Sequence, residues 1–252
     1  MVAASGIPIP YRIIALMQER NRIFEFPLEH IAAEIKTIGF QCTRCGMCCT
    51  RSVNGHIFLL DHEITEVKKI DPCALEPAPN PEFCDQMGTL YVSGYTIRVK
   101  NDTPGTCWFL DNGKCRIHDR RFSFCRIYPH MLRNSADEAG LVKWRLFAKM
   151  NEHGRYNQEI SDYDCLALAR EIKVYENAFL THQISFLETV HEYFAINNLE
   201  HNQGMYDIQM QKFSRNEPVN IHVFHDGELQ EYRMIKPKFS RMLELTPDMA
   251  RK

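Results

Sequence analysis

Phe40-Gln-Cys42-Thr-Arg-Cys45-Gly46-Met-Cys48-Cys49 is the stretch whose reading decides this chain. A Cys-x-x-Cys loop turns two sulfurs towards one point, and Gly46 allows the turn without a Cβ clash. Cys48 extends the pattern to Cys-x₂-Cys-x₂-Cys, the spacing that wraps three corners of an iron–sulfur cubane. A zinc knuckle uses the first pair too, so that pair alone leaves the metal open. Neighbouring side chains point roughly 100° apart in a helix and to opposite faces in a strand. The vicinal Cys48 and Cys49 are therefore expected to stand between two adjacent metal sites.

Working outward, Cys107 and Cys115 flank Trp-Phe-Leu-Asp-Asn-Gly-Lys, Cys125 opens Cys125-Arg126-Ile-Tyr128-Pro129, and Cys165 follows. With the first four these make eight thiols, the number that two four-ligand sites require. Cys73 and Cys84 flank a proline-rich loop and read as packing or surface thiols. Met1 to Pro10 shows no secretion signal, which implies a cytoplasmic setting where thiols stay reduced. Ten cysteines in such a setting point to metal rather than to disulfides. Arg121 and Arg126 are candidates to offset the negative charge of a thiolate centre, and His118 to hydrogen-bond its sulfurs. Trp108 and Phe109 are expected to shield it from water.

These motifs resemble the CxxCxxCC (YkgJ-like) family, described as zinc- or iron-chelating. The first motif covers Phe40 to Cys49. The second, a Cys-Phe-Leu-like segment before a turn and another cysteine, corresponds to Cys107–Cys115. The third corresponds to Arg121, Cys125, Arg126, Tyr128 and Pro129. His118 stands where the family usually has Tyr, and Phe122 where it usually has Pro. The resemblance implies metal binding. A flagellin lysine methylase group carries a similar cluster, which makes protein methylation an alternative by association.

Composition excludes several classes. Formal net charge is −2, so no global basic field draws the chain to nucleic acid. No apolar run approaches the ~20 residues of a membrane span. Gly-x-Gly fingerprints, a Walker loop and a Gly-x-Ser-x-Gly elbow are all missing. His62-Glu63 and His191-Glu192 lack the second histidine of a zinc protease.

The expected fold is α+β. A loop-rich cysteine-cluster module at 40–165 would pack against an N-terminal helical segment (1–39) and a C-terminal segment (166–252) of helix and β-hairpin. Residues 11–38 read as helical, with Leu28, Ile31, Ile35 and Ile38 at spacings of three and four and Pro27 in a first turn. Ile57 to Leu60 reads as a strand, and Asp61 as the cap of a helix through Ile70. Residues 71–83 read as an irregular loop, and Tyr91 to Val99 as two strands bent at Gly94. Asp111-Asn112-Gly113 reads as a turn, and Val142 to Phe147 as a strand. Residues 158–198 read as one or two amphipathic helices. Asn220–Phe224 and Glu228–Ile235 form a hairpin around His225-Asp226-Gly227.

The functional expectation is an iron–sulfur protein with two [4Fe-4S] centres. It would act in electron transfer or redox sensing as an accessory subunit of a larger protein complex. The alternatives are a methyltransferase-like enzyme and a zinc-stabilised interaction module.

Overall fold

The computed structural model describes residues 7–136, 142–148 and 153–234. Two helices open the chain, α1 (Ile9–Glu25) and α2 (Leu28–Ile38). Each follows a proline, Pro8 or Pro27, whose missing N–H costs nothing at a helix start. Pro27 caps α2 rather than lying inside its first turn. Ile31 and Ile35 face inward and are fully buried, as their spacing requires.

Gly39 ends α2 in the left-handed conformation (φ 55°), its N–H bonded to Ile35 O at 2.9 Å. Only glycine fits there. A Cβ would stand 2.4 Å from Gln158 O. Beyond it, Gln41 and Arg155 exchange backbone hydrogen bonds of 2.8 and 3.0 Å. The chain entering the first cysteines is thereby clamped to residues 155–158.

Between the helical ends lie short elements: α3 (Arg51–Asn54), α4 (Asp61–Ile70), β1 (Leu75–Pro77), β2 (Phe83–Cys84), β3 (Thr89–Val92), β4 (Tyr95–Ile97), β5 (Leu110–Asp111), β6 (Lys114–Cys115), α5 (Ser123–Ile127), β7 (His130–Ala136) and β8 (Val142–Ala148). Then come α6 (Asp162–Ile196), α7 (Gln203–Ser214), β9 (Val219–His225) and β10 (Glu228–Met234). The class is mixed helix and sheet with helices at both ends and a late hairpin, as the sequence implies.

Several details differ. Ile57–Leu60 is no strand; Phe58 makes one isolated bridge, to Thr96. The 71–83 segment holds a 3₁₀ turn at Pro72–Ala74 and then β1, which pairs antiparallel with β4. Residues 162–196 form a single helix, capped by Ser161 accepting from Asp164 N. The helix α7 is additional. Its start is marked by Asn202, whose side chain accepts from Met205 N at 2.9 Å. Ile235 lies outside the described residues.

The hairpin does more than finish the chain. β9 pairs parallel with β3, giving one four-stranded sheet in the order β10-β9-β3-β2. Phe83, Tyr91 and Phe224 from this sheet pack on Phe186, Leu187, Val190 and Phe194 of α6. Burying such side chains contributes roughly 2–3 kcal/mol each. The remainder of α6 packs with α1 and α2 through Ile23, Ile31, Ile35, Ala169 and Ile172. No helix among the described residues is long and apolar enough to cross a membrane.

Candidate metal centre

Local geometry explains how the thiols are presented. Gly46 (φ 77°) turns the chain into a 3₁₀ turn, Met47–Cys49, closed by Cys49 N donating to Gly46 O at 3.0 Å. Cys107 N then donates to Cys49 O at 2.8 Å, laying the second motif beside the first. The β5–β6 hairpin, with Asn112 (φ 47°) and Gly113 (φ 72°) at its tip, sets Cys115 opposite Leu110. Cys125 rides on α5, its N–H bonded to Phe122 O at 2.9 Å.

These segments bring five thiols into one neighbourhood. Cys107 is buried in the sheet-side apolar cluster, and Cys49, Cys115 and Cys125 pack against that cluster. Their ionisation is mutually opposed. Burial pushes the Cys125 thiol well up, and Cys107, Cys48 and Cys115 push it further. Burial likewise pushes Cys107 up to about 11 and raises Cys115. Cys49 donates to Cys48. That hydrogen bond holds Cys48 down to about 7 and, with burial, drives Cys49 far up. One guanidinium works the other way: Arg121 lowers Cys48, Cys115 and Cys125 alike.

The other candidates sit apart. Cys42 and Cys45 are exposed, and Cys42 Sγ lies 4.0 Å from His118 Nε2. Arg126 turns away from the sulfurs. It pairs with Glu171 and donates to Arg121 O at 2.7 Å and to Ser123 Oγ at 3.1 Å. It therefore braces the segment that carries Arg121. Cys165 is buried in the helical cluster with Ile31 and Ile35, where Lys36, Asp162 and Asp164 are the charges acting on it. Cys84 is buried in β2 and Cys73 is exposed. Phe109 is buried beside Phe122, while Trp108 donates Nε1–H to Asp71 Oδ2 at 2.7 Å and carries Arg98 over its ring.

Among the described residues, no three His, Cys, Asp or Glu side chains are grouped tightly enough to grip one ion. The thiols share a neighbourhood without closing a coordination polyhedron. By donor chemistry the set suits a soft cation. Five sulfurs that oppose one another's ionisation lose that conflict when a metal replaces the protons. Cys48, Cys49, Cys107, Cys115 and Cys125 would hold it, with Arg121 as counter-charge.

Two carboxylates at the start of α4 make contacts that the sequence does not announce. Asp61 caps nothing. Its carboxylate accepts from His182 Nδ1 at 3.2 Å and His225 Nδ1 at 3.1 Å. Glu63, buried, takes the capping role by accepting from Leu60 N at 3.1 Å, and its other oxygen accepts from Ser123 N at 2.6 Å. The usual signal of this box, Ser or Thr three residues before Glu, is replaced here by Leu60.

No curated protein and no solved structure matches the chain. Residues 41–153 match the model of the CxxCxxCC family, described as a putative zinc- or iron-chelating domain. That span takes in every thiol of the five-membered set. By these sulfurs and that match, residues 41–153 are similar to the zinc- or iron-chelating CxxCxxCC domain.

Proposed function

We propose that the chain is an iron–sulfur protein serving electron transfer or redox sensing as an accessory subunit of a larger complex. The supporting observation is the five-thiol neighbourhood of Cys48, Cys49, Cys107, Cys115 and Cys125, whose ionisations oppose one another and whose charge one arginine offsets. A metal centre bound there supplies reversible one-electron chemistry. Arg121 stabilises the thiolates that hold it. Phe109 and Phe122 exclude water from its inner side. Four of the five thiols complete one centre; the fifth, with Cys42, Cys45 and the His118 that lies 4.0 Å from Cys42, is left for a second.

Anaerobic purification followed by metal analysis and an absorption spectrum tests this. Brown protein with broad visible absorption that bleaches on reduction is expected. About four irons per chain means one cubane at the five-thiol set, and about eight means two. Colourless protein with stoichiometric zinc would move the reading to a zinc-stabilised module. Protein with neither metal would end the chelating proposal.

A further inference from the structure

We infer that Glu63 is a positioning residue for Cys125, fixing the short helix that presents this thiol; the inference rests on the metal-binding reading above.

Glu63 is 4% exposed, and both of its hydrogen bonds come from backbone amides. A buried carboxylate is costly unless its oxygens are satisfied. One oxygen completes the first turn of α4 through Leu60 N. That bond alone would account for a capping glutamate. The second oxygen crosses to Ser123 N, 60 residues along the chain. Ser123 is the first residue of α5, and no side chain of that helix caps it. α5 has five residues with Cys125 at its centre. A helix this short has little stability of its own, so its orientation depends on what holds its ends. Glu63 holds one end. On the same helix Phe124, the residue before Cys125, packs edge-on against Tyr175 of α6 with ring centroids 6.0 Å apart.

Neither neutral replacement can do the same. Glutamine offers one acceptor and an NH₂, so one of the two amides meets a donor. Alanine leaves both amides buried and unsatisfied.

The test compares full-length proteins prepared without oxygen. Glu63→Gln should speed chelator-driven metal loss by about tenfold, the order found when a group supporting a ligand is removed. Asp61→Asn is the control. It alters the same helical turn but serves His182 and His225, so metal loss should stay within about twofold of the unsubstituted protein. A second readout needs no metal. In metal-free protein, Glu63→Gln should raise the alkylation rate of Cys125 by iodoacetamide severalfold and leave Cys107 unchanged, measured by peptide mass spectrometry.

Equal acceleration of Cys107 and Cys125 would show general loosening and overturn the inference, as would no change at either. If the unsubstituted protein holds no metal, the proposed function fails while the alkylation comparison still decides the role of Glu63. If Glu63→Gln does not fold, Glu63→Asp takes its place. It keeps the charge but is too short to serve both amides, and the same readouts apply.

Discussion

Asp61 Oδ1 stands 3.1 Å from His225 Nδ1, tying the first residue of α4 to the last residue of β9. The other carboxylate oxygen takes His182 of α6, whose Nε2 reaches the Ser93 carbonyl. One side chain thus joins the cysteine-bearing half to two C-terminal elements, α6 and β9.

Acid should loosen this junction. Burial pushes the Asp61 carboxyl up, but the hydrogen bonds from His182 and His225 together outweigh it and hold the group well below the usual carboxylate range. A depressed acid stabilises the fold above its unfolded value, about 4, and loses that contribution as pH falls through the folded value. Thermal unfolding followed against pH should show the unsubstituted protein above Asp61→Asn at neutral pH. The two should converge below pH ~4. Parallel curves would refute the linkage.

Glu76 carries the opposite sign. Burial pushes its carboxyl up to about 7, although Arg51 Nη2 lies 2.8 Å away. A raised acid favours the fold below its unfolded value, about 4.3, and loses that contribution as pH climbs through the folded value. Stability relative to Glu76→Gln should therefore fall between about pH 4 and pH 7 and then level off. A flat difference would mean that Arg51 keeps the carboxylate ionised in the folded protein.

Cysteine substitutions should separate ligand from packing. Cys125→Ser should lower the metal content at the five-thiol set, because the buried thiol of α5 is lost from it. Cys165→Ala should keep the metal and cost roughly 1 kcal/mol, since it removes one buried sulfur from the helical core. Metal analysis with a melting curve reads both. Metal loss in Cys165→Ala would make that thiol a ligand.

Gly39→Ala should be among the most damaging small changes. The residue needs φ 55°, and the added Cβ meets Gln158 O at 2.4 Å. Gly227, at φ 80° in the late hairpin, has nothing within 4 Å of the same position. Gly227→Ala should cost about 1 kcal/mol of left-handed strain. Gly39→Ala should cost clearly more, because backbone must also move. Equal losses in urea denaturation would contradict the clash argument.

Local signals carried much of the fold. α2 shows in the spacing of Ile31 and Ile35, the β5–β6 turn in Asn112-Gly113, and the late hairpin in Asp226-Gly227, all set by chemistry within a few residues. The parallel pairing of β3 with β9 has no such signal, because nothing near Leu90 names Ile221 as its neighbour. The same division holds at the site. Spacing marks eight thiols as ligand candidates, with Cys48, Cys49, Cys107, Cys115 and Cys125 among them. It cannot tell that Cys165, on a helix with an apolar face, is placed among Ile31 and Ile35. Nor can it show that Arg121 faces the sulfurs while Arg126 turns to Glu171. These outcomes depend on tertiary direction, which composition and period do not encode.

The pairing of β3 with β9 also joins two strands made far apart in time during biosynthesis. During translation every thiol-bearing loop emerges, and α6 and α7 are made, before the strand that flanks β3 leaves the ribosome. Until then one edge of β3 stays bare, an invitation to pair with a neighbouring nascent chain. Shortening the gene from its 3′ end to before β9 should therefore yield insoluble product even though every cysteine is retained.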